Sequence, residues 1–246
     1  MAVASPNSHR QDNQPVYVLH TYPFKETSLV VELFAHGFGR VATTAKGARR
    51  PRSAMRGMLQ SFQPLLATWS GKLELKTLHG LEWGGGLLLL KGEALMCGFY
   101  LNELLLRLLP REDPHETLFY YYSETLKTLA SGHDLATTLR RFELKLLQEL
   151  GYAIPLQQDT GSAPVQETAD YNYVAEHGAA KVGRLSAHHN NGVQLLGKTL
   201  IDMANDDYSH SQTQQQSKLL MRYLLAHYLG DKPLHTRQLL IDLQGL

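Results

Sequence analysis

The spacing of apolar residues changes period part-way along the chain, and this change limits the possible folds more than any other feature. Before the run Gly84-Gly85-Gly86 the apolar residues fall in short, β-rich runs broken by turn formers; after it they recur with helical spacing over long stretches. A strand sends successive side chains to opposite faces, whereas a helix returns to one face every three or four residues, so the two patterns are not interchangeable. Strands are predicted at residues 16–22, 28–35, 40–46, 65–69 and 73–78. His36-Gly37-Phe38-Gly39 supplies a hairpin turn between the second and third.

Five short strands in so short a stretch suit a small closed barrel, and among barrels of that strand number the OB-fold is the commonest nucleic-acid binder. Helices follow. The first is predicted over residues 88–108, with Leu95, Phe99, Leu101, Leu105 and Leu108 on its core face, and stops at Pro110. The second opens at Asp113-Pro114 with Glu116 in its first turn and buries Leu118, Phe119, Tyr122, Leu126 and Leu129. The third spans residues 135–150, turns Leu139, Phe142, Leu146 and Leu150 inward, and ends at Gly151. Residues 155–191 read as an irregular excursion with a hairpin around residues 171–174. Helices over 192–203 and 212–229 close the pattern, the last stopping at Gly230 with Pro233 beyond. The expected fold is α+β with two domains: a disordered tail at 1–14, a β-barrel at 15–82 and a mainly helical domain at 83–246.

Charge is distributed unevenly. The 24 basic and 23 acidic residues nearly cancel. Yet no acidic residue lies between Glu32 and Glu74, while Arg40, Lys46, Arg49, Arg50, Arg52, Arg56 and Lys72 all do. That asymmetry points to an anionic partner. Lys46-Gly47-Ala48-Arg49-Arg50-Pro51-Arg52 reads as an Arg-rich loop between barrel strands, suited to gripping phosphates. Tyr22, Phe24, Phe34, Phe38 and Trp69 are candidate stacking platforms, although a barrel this small needs most of its aromatics for its core.

Catalytic readings fare worse. Gly192-Val193-Gln194-Leu195-Leu196-Gly197-Lys198-Thr199 satisfies the phosphate-loop pattern, but no buried strand precedes it, and Val193, Leu195 and Leu196 read as a helix already under way. His188 and His189 are adjacent and point apart, and with His177 and His210 they make a surface cluster rather than a metal site. Cys97, the single cysteine, sits among apolar neighbours, which suits an inert thiol and a reducing cytoplasm. No enzymatic activity, cofactor or metal is expected. Charged residues interrupt the apolar stretch at 87–109 too often for a membrane span.

Several ordered segments carry a family resemblance. They are Val18-Leu19-His20 with Glu26-Thr27-Ser28-Leu29, Gly39-Arg40-Val41 with Ala45-Lys46-Gly47-Ala48-Arg49, and Tyr100-Leu101-Asn102-Glu103-Leu104. Further along come Leu139-Arg140-Arg141-Phe142-Glu143-Leu144 through Leu150-Gly151-Tyr152, then Tyr228-Leu229-Gly230-Asp231-Lys232-Pro233-Leu234 with Arg237. Together they resemble the RecO family of bacterial recombination mediators. The resemblance implies an N-terminal OB domain, a helical domain, and a cytoplasmic, nucleoid-associated protein. It implies binding of single- and double-stranded DNA, annealing of complementary strands, contact with the acidic C-terminal tail of the single-stranded DNA-binding protein SSB, and loading of RecA together with RecR. Arg140, Arg141, Phe142 and Lys145 are the candidates for the SSB tail, and Lys232 and Arg237 are secondary DNA candidates. Two departures stand out: the 155–191 segment lacks the four-cysteine zinc module of many relatives, and His235-Thr236 replaces the usual basic-Ser pair. The rival readings are a nucleotide hydrolase built on residues 192–199 and an OB-type RNA-binding or assembly factor with no repair role.

Overall fold

The structure is a computed structural model and describes residues 9–152, 154–183, 192–230 and 232–236. Strands β1 (Arg10–Phe24), β2 (Ser28–Ala35), β3 (Gly39–Ala45), β4 (Leu65–Ser70) and β5 (Leu75–Trp83) form a closed barrel in the order β1-β2-β3-β5-β4. All pairs are antiparallel except β3 with β5, which runs parallel from Ala42↔Leu75 to Ala45↔Leu78. Closure falls to β1, whose second part pairs with β2 and whose first part pairs with β4. This is the five-stranded OB-type barrel. Its interior is packed with Val16, Val18, Val31, Leu33, Val41, Leu65, Leu78 and Leu81 around Trp69.

Two boundaries differ from expectation. Residues 10–14, expected in a disordered tail, are strand: Arg10 pairs with Ser70, Gln11 with Trp69 and Gln14 with Ala67. Ladder bonds use backbone groups, so a polar, unpatterned segment serves at the barrel rim as well as an apolar one. The fifth strand begins at Leu75 rather than Leu73 and continues to Trp83; Leu73 is 78% exposed in the preceding turn.

A short helix α1 (Ala54–Met58) interrupts the connection from β3 to β4. Helices α2 (Gly92–Leu108) and α3 (Glu116–Ser131) then pack on the outside of the barrel, so that the glycine run marks where strands stop, while the compact unit runs on to Ser131. Tyr17 of β1 and Phe34 of β2 meet Phe119 and Tyr122 of α3 with ring centroids 5.2 to 5.9 Å apart. The expected inward face of α3 is buried in full. That of α2 is rotated: Gly98, Leu101, Asn102 and Leu105 are buried and Phe99 is 42% exposed. Both helices start later than predicted, at Gly92 and Glu116; Asp113 and Pro114 lie in the linker, where the Asp113 carbonyl occupies the space a Cβ on Gly39 would need.

The second unit, Gly132–Leu246, holds α4 (Leu135–Glu149), β6 (Asp170–Val174), β7 (Gly178–Lys181), β8 (Val193–Leu196), α5 (Gly197–Ala204) and α6 (Ser211–Leu229). Asp134 caps α4 by accepting a bond from the Thr137 N–H at 3.1 Å, which holds its carboxyl below the usual value. The excursion over residues 155–191 contains the hairpin expected around residues 171–174, β6 with β7, and β8 widens it into a sheet ordered β7-β6-β8. Residues 193–196 are thus strand, where a continuous helix over 192–203 was expected. Four apolar-rich residues do not distinguish the two periods, and pairing with β6 decides the matter.

Asn102 ties α2 to both neighbours: it is 2% exposed, its Nδ2 donates to the Leu19 carbonyl at 2.9 Å, and its Oδ1 accepts from the Tyr122 hydroxyl. Asn102→Ala removes both partners from buried groups, and thermal or urea unfolding should show a loss of about 3 kcal/mol. A variant within about 0.5 kcal/mol of the parent would show that these bonds do not hold the helix on the barrel.

Candidate nucleic-acid interface

The barrel's topology places the basic loop. Residues 46–64 leave the end of β3 and cross to β4 outside the barrel's strands, with Ser61 forming an isolated bridge to Val18 of β1. Residues 46–52 fold as consecutive turns, with the Ala48 side chain buried in the barrel end and Arg50 N–H donating to the Gly47 carbonyl at 3.1 Å. The Arg49 N–H donates to the Thr27 carbonyl at 2.9 Å, and the Arg49 guanidinium to the Lys25 carbonyl at 3.4 Å. The loop is therefore anchored against the β1–β2 turn while Lys46, Arg49, Arg50, Arg52 and Arg56 remain exposed. Among the described residues none accepts a side-chain bond from Lys46, Arg50, Arg52 or Arg56. Lys25, exposed beside Arg49, joins this group; a lone lysine between Phe24 and Glu26 gave no sign of it in the sequence.

Two of the expected DNA-binding cations stand elsewhere. Arg40 is committed internally: its side chain is only 17% exposed, its Nε donates to the Leu109 carbonyl at 3.0 Å, and a terminal nitrogen lies 3.4 Å from buried Glu32. Burial pulls its guanidinium below the usual value, with Glu32 opposing. Arg111 pairs with the same carboxylate and with Glu74, and Lys76 pairs with Glu112 at 2.5 Å. A charge run in sequence does not show which members face acids from distant segments. Lys72 is exposed but sits in the β4–β5 turn, at the opposite end of the β3–β5 pairing from the loop. Of the aromatic candidates, Phe34 and Trp69 are core and Phe38 packs edge-on against Trp69 at 5.3 Å; Tyr22 and Phe24 remain on the surface side.

Comparison with known proteins bears on this geometry. Residues 10–86 match the family model Recombination protein O N terminal, and residues 89–238 match Recombination protein O C terminal. The chain is 54% identical over 241 residues to the DNA repair protein RecO of Nitrosospira multiformis, covering 98% of this chain and 99% of that one. It is 53% identical to the DNA repair protein RecO of Aromatoleum aromaticum, covering 96% and 98%, and 50% identical to that of Ralstonia nicotianae, covering 97% and 87%. The chain belongs to the RecO family.

In this RecO-family chain the second unit carries the other candidate surface. Arg140, on α4, lines an open cavity of about 170 Å³ with Ala136, Thr137, Leu139, Tyr208, Gln214 and Lys218. The Arg140 guanidinium is paired at 2.6 Å with Glu143, which is fully buried. Arg141 pairs with Asp206 at 2.6 Å and lies 5.8 Å from the Tyr208 ring centre; Lys145 pairs with Glu149 at 2.8 Å. Phe142 is fully buried, so it is core and presents no surface to a peptide. An apolar residue directly after two arginines looks like part of a groove in sequence, but the helical period turns it inward. Lys218 of α6, not singled out from the sequence, is the exposed cation of the cavity. Lys232 is exposed just beyond α6, and Arg237 lies outside the described residues.

The phosphate-loop pattern folds as strand running directly into helix. The Gly197 and Lys198 N–H groups donate to the Ala169 and Glu167 carbonyls at 2.8 and 2.9 Å, and a Cβ on Gly197 would sit 1.9 Å from the Gln166 carbonyl oxygen. Helix-start amides that would face a phosphate are thus occupied by protein. Lys198 reaches Asp202 at 3.1 Å and Glu167 at 3.5 Å, and the Thr199 hydroxyl donates to Gln216. His177 contacts its neighbour Ala175, while His188 and His189 lie outside the described residues. No group of three His, Cys, Asp or Glu suited to a metal occurs among the described residues, and no helix there is long and apolar enough to cross a membrane.

Proposed function

We propose that the protein is a non-enzymatic DNA repair and recombination mediator that holds DNA by its phosphates through Lys46, Arg49, Arg50, Arg52 and Arg56, with Lys25 alongside. The observation that carries this reading is an anchored loop on an OB-type barrel, exposed to solvent, in which Lys46, Arg50, Arg52 and Arg56 have no side-chain partner among the described residues. Phosphate contacts recognise any sequence, which is what a protein acting along arbitrary single strands needs. They also neutralise two polyanions that must approach to anneal. In this reading the protein binds single- and double-stranded DNA at the nucleoid in the cytoplasm, anneals complementary strands, and acts with RecR to load RecA on SSB-covered strands.

The acidic SSB tail would dock at the cavity between α4 and α6. An apolar end group enters past Ala136 and Leu139, while its carboxylates meet Lys218 and Arg140. Arg141 and Lys145 are already paired and flank this site, and Phe142 supports it from the core.

With four or five phosphate contacts at about −0.7 each, log K for single strands should fall with log salt at a slope of roughly −3 to −3.5. Replacing Arg49, Arg50 and Arg52 with Ala should flatten that slope by about 2 and slow annealing, without altering the thermal unfolding of the barrel. A triple variant with the parent's slope and annealing rate would move the DNA site to another surface, Lys232 being the next residue to test.

For the tail, Lys218→Glu is the informative substitution, since changing Arg140 would strand the buried Glu143 and disturb α4 itself. Tail-peptide affinity should drop by about tenfold or more while naked DNA binding is unchanged. Unaltered peptide affinity would place the receptor elsewhere. This mechanism calls on no nucleotide turnover, so ATP hydrolysis that disappears in Lys198→Ala would refute the non-enzymatic reading.

A further inference from the structure

The outward face of β1 changes character half-way along the strand. Val16 and Val18 point into the barrel, and an unbroken period of two would send His20, Tyr22 and Phe24 after them. Instead the register with β2 shifts between Val18 and His20. A bulge of this kind moves every later side chain to the opposite face. Thr21 and Pro23 now stand opposite the inward-facing Val31 and Leu29, while His20, Tyr22 and Phe24 pair outward with Glu32, Val30 and Ser28.

The outward residues before the shift are covered: Tyr17 packs under Phe119 and Tyr122, and Leu19 is 1% exposed. Of those after it, His20 and Tyr22 are exposed and Phe24 is half-buried. Tyr22 is 45% exposed, and the exposed His20 ring meets it edge-on at 4.4 Å. Lys25 lies 5.4 Å from the Phe24 ring centre and contacts the Arg49 guanidinium through its carbonyl. The aromatic row therefore ends where the basic loop begins. Successive members are spaced at two strand residues, roughly 6.8 Å.

We infer that His20, Tyr22 and Phe24 form a stacking track for the unpaired bases of a single DNA strand whose phosphates are held by Lys25, Arg49 and their neighbours. The inference rests on the DNA reading above and adds selectivity to it. Phosphate contacts alone do not distinguish single from paired strands, whereas a ring stacks only on a base whose face is exposed. The row is specific to single strands, and the loop serves both forms.

The test compares a deoxythymidine oligomer, an abasic oligomer of the same length and a blunt duplex, each titrated against the full chain. The parent should prefer the thymidine oligomer over the abasic one by about tenfold. Tyr22→Ala should remove most of that preference, Phe24→Ala part of it, and Tyr22→Phe should retain it, with duplex affinity and salt slope unchanged in all three. A parent that binds both oligomers equally, or alanine variants that keep the full preference, would overturn the stacking track while leaving the phosphate grip in place. A parent that binds none of the three probes would overturn the DNA reading itself, and this inference with it.

Discussion

Closing the barrel through a parallel pair is the constraint from which the rest follows. β3 and β5 lie side by side in the same direction, so the chain cannot turn directly from one into the other; parallel neighbours need a long crossover. Here β4 intervenes in sequence, bonded between β5 and β1, and residues 46–64 must travel across the end of the barrel to reach it. Such a connection runs over the barrel surface, packing Met55, Met58 and Leu59 against the core while its cations stay in water. The Arg-rich stretch is exposed because the topology leaves it nowhere else to go, and it is held in place because Ala48 is buried and Arg49 is bonded to Thr27.

The same end-to-end logic divides the cations into two kinds. Those on the crossover remain solvated, while Arg40, Arg111 and Lys76 are matched to Glu32, Glu74 and Glu112 across the barrel and the linker between α2 and α3. Glu32 is nearly inaccessible, so its two guanidinium partners are needed to keep its charge compensated; removing one partner of a buried pair costs about 3–5 kcal/mol. Loss of DNA binding in an Arg40 variant would accordingly report on folding as much as on contact. Charge in this chain serves attachment of helices to barrel in one place and attraction of an anion in another.

In the second unit, pattern and structure part company at residues 192–199. A glycine, a lysine and a threonine at the right spacing fail as a phosphate site because the helix-start amides already have carbonyl partners and Lys198 has two carboxylates within reach. The glycine is needed for close approach of residue 166, not of a ligand. The sheet β7-β6-β8 is centred on the buried Tyr171 and Tyr173.

Periodicity was enough to show a barrel followed by helices, the buried face of α3, and the Arg-rich loop, because local spacing and turn chemistry are written in consecutive residues. Membership of the family was legible too, since it rests on ordered local segments. The rest depended on residues far apart in sequence. Whether Arg40 is free depends on Glu32 and Leu109; whether residues 193–196 extend or coil depends on β6. The shift that turns His20, Tyr22 and Phe24 outward exists only as a register between two paired strands, and no single strand carries it.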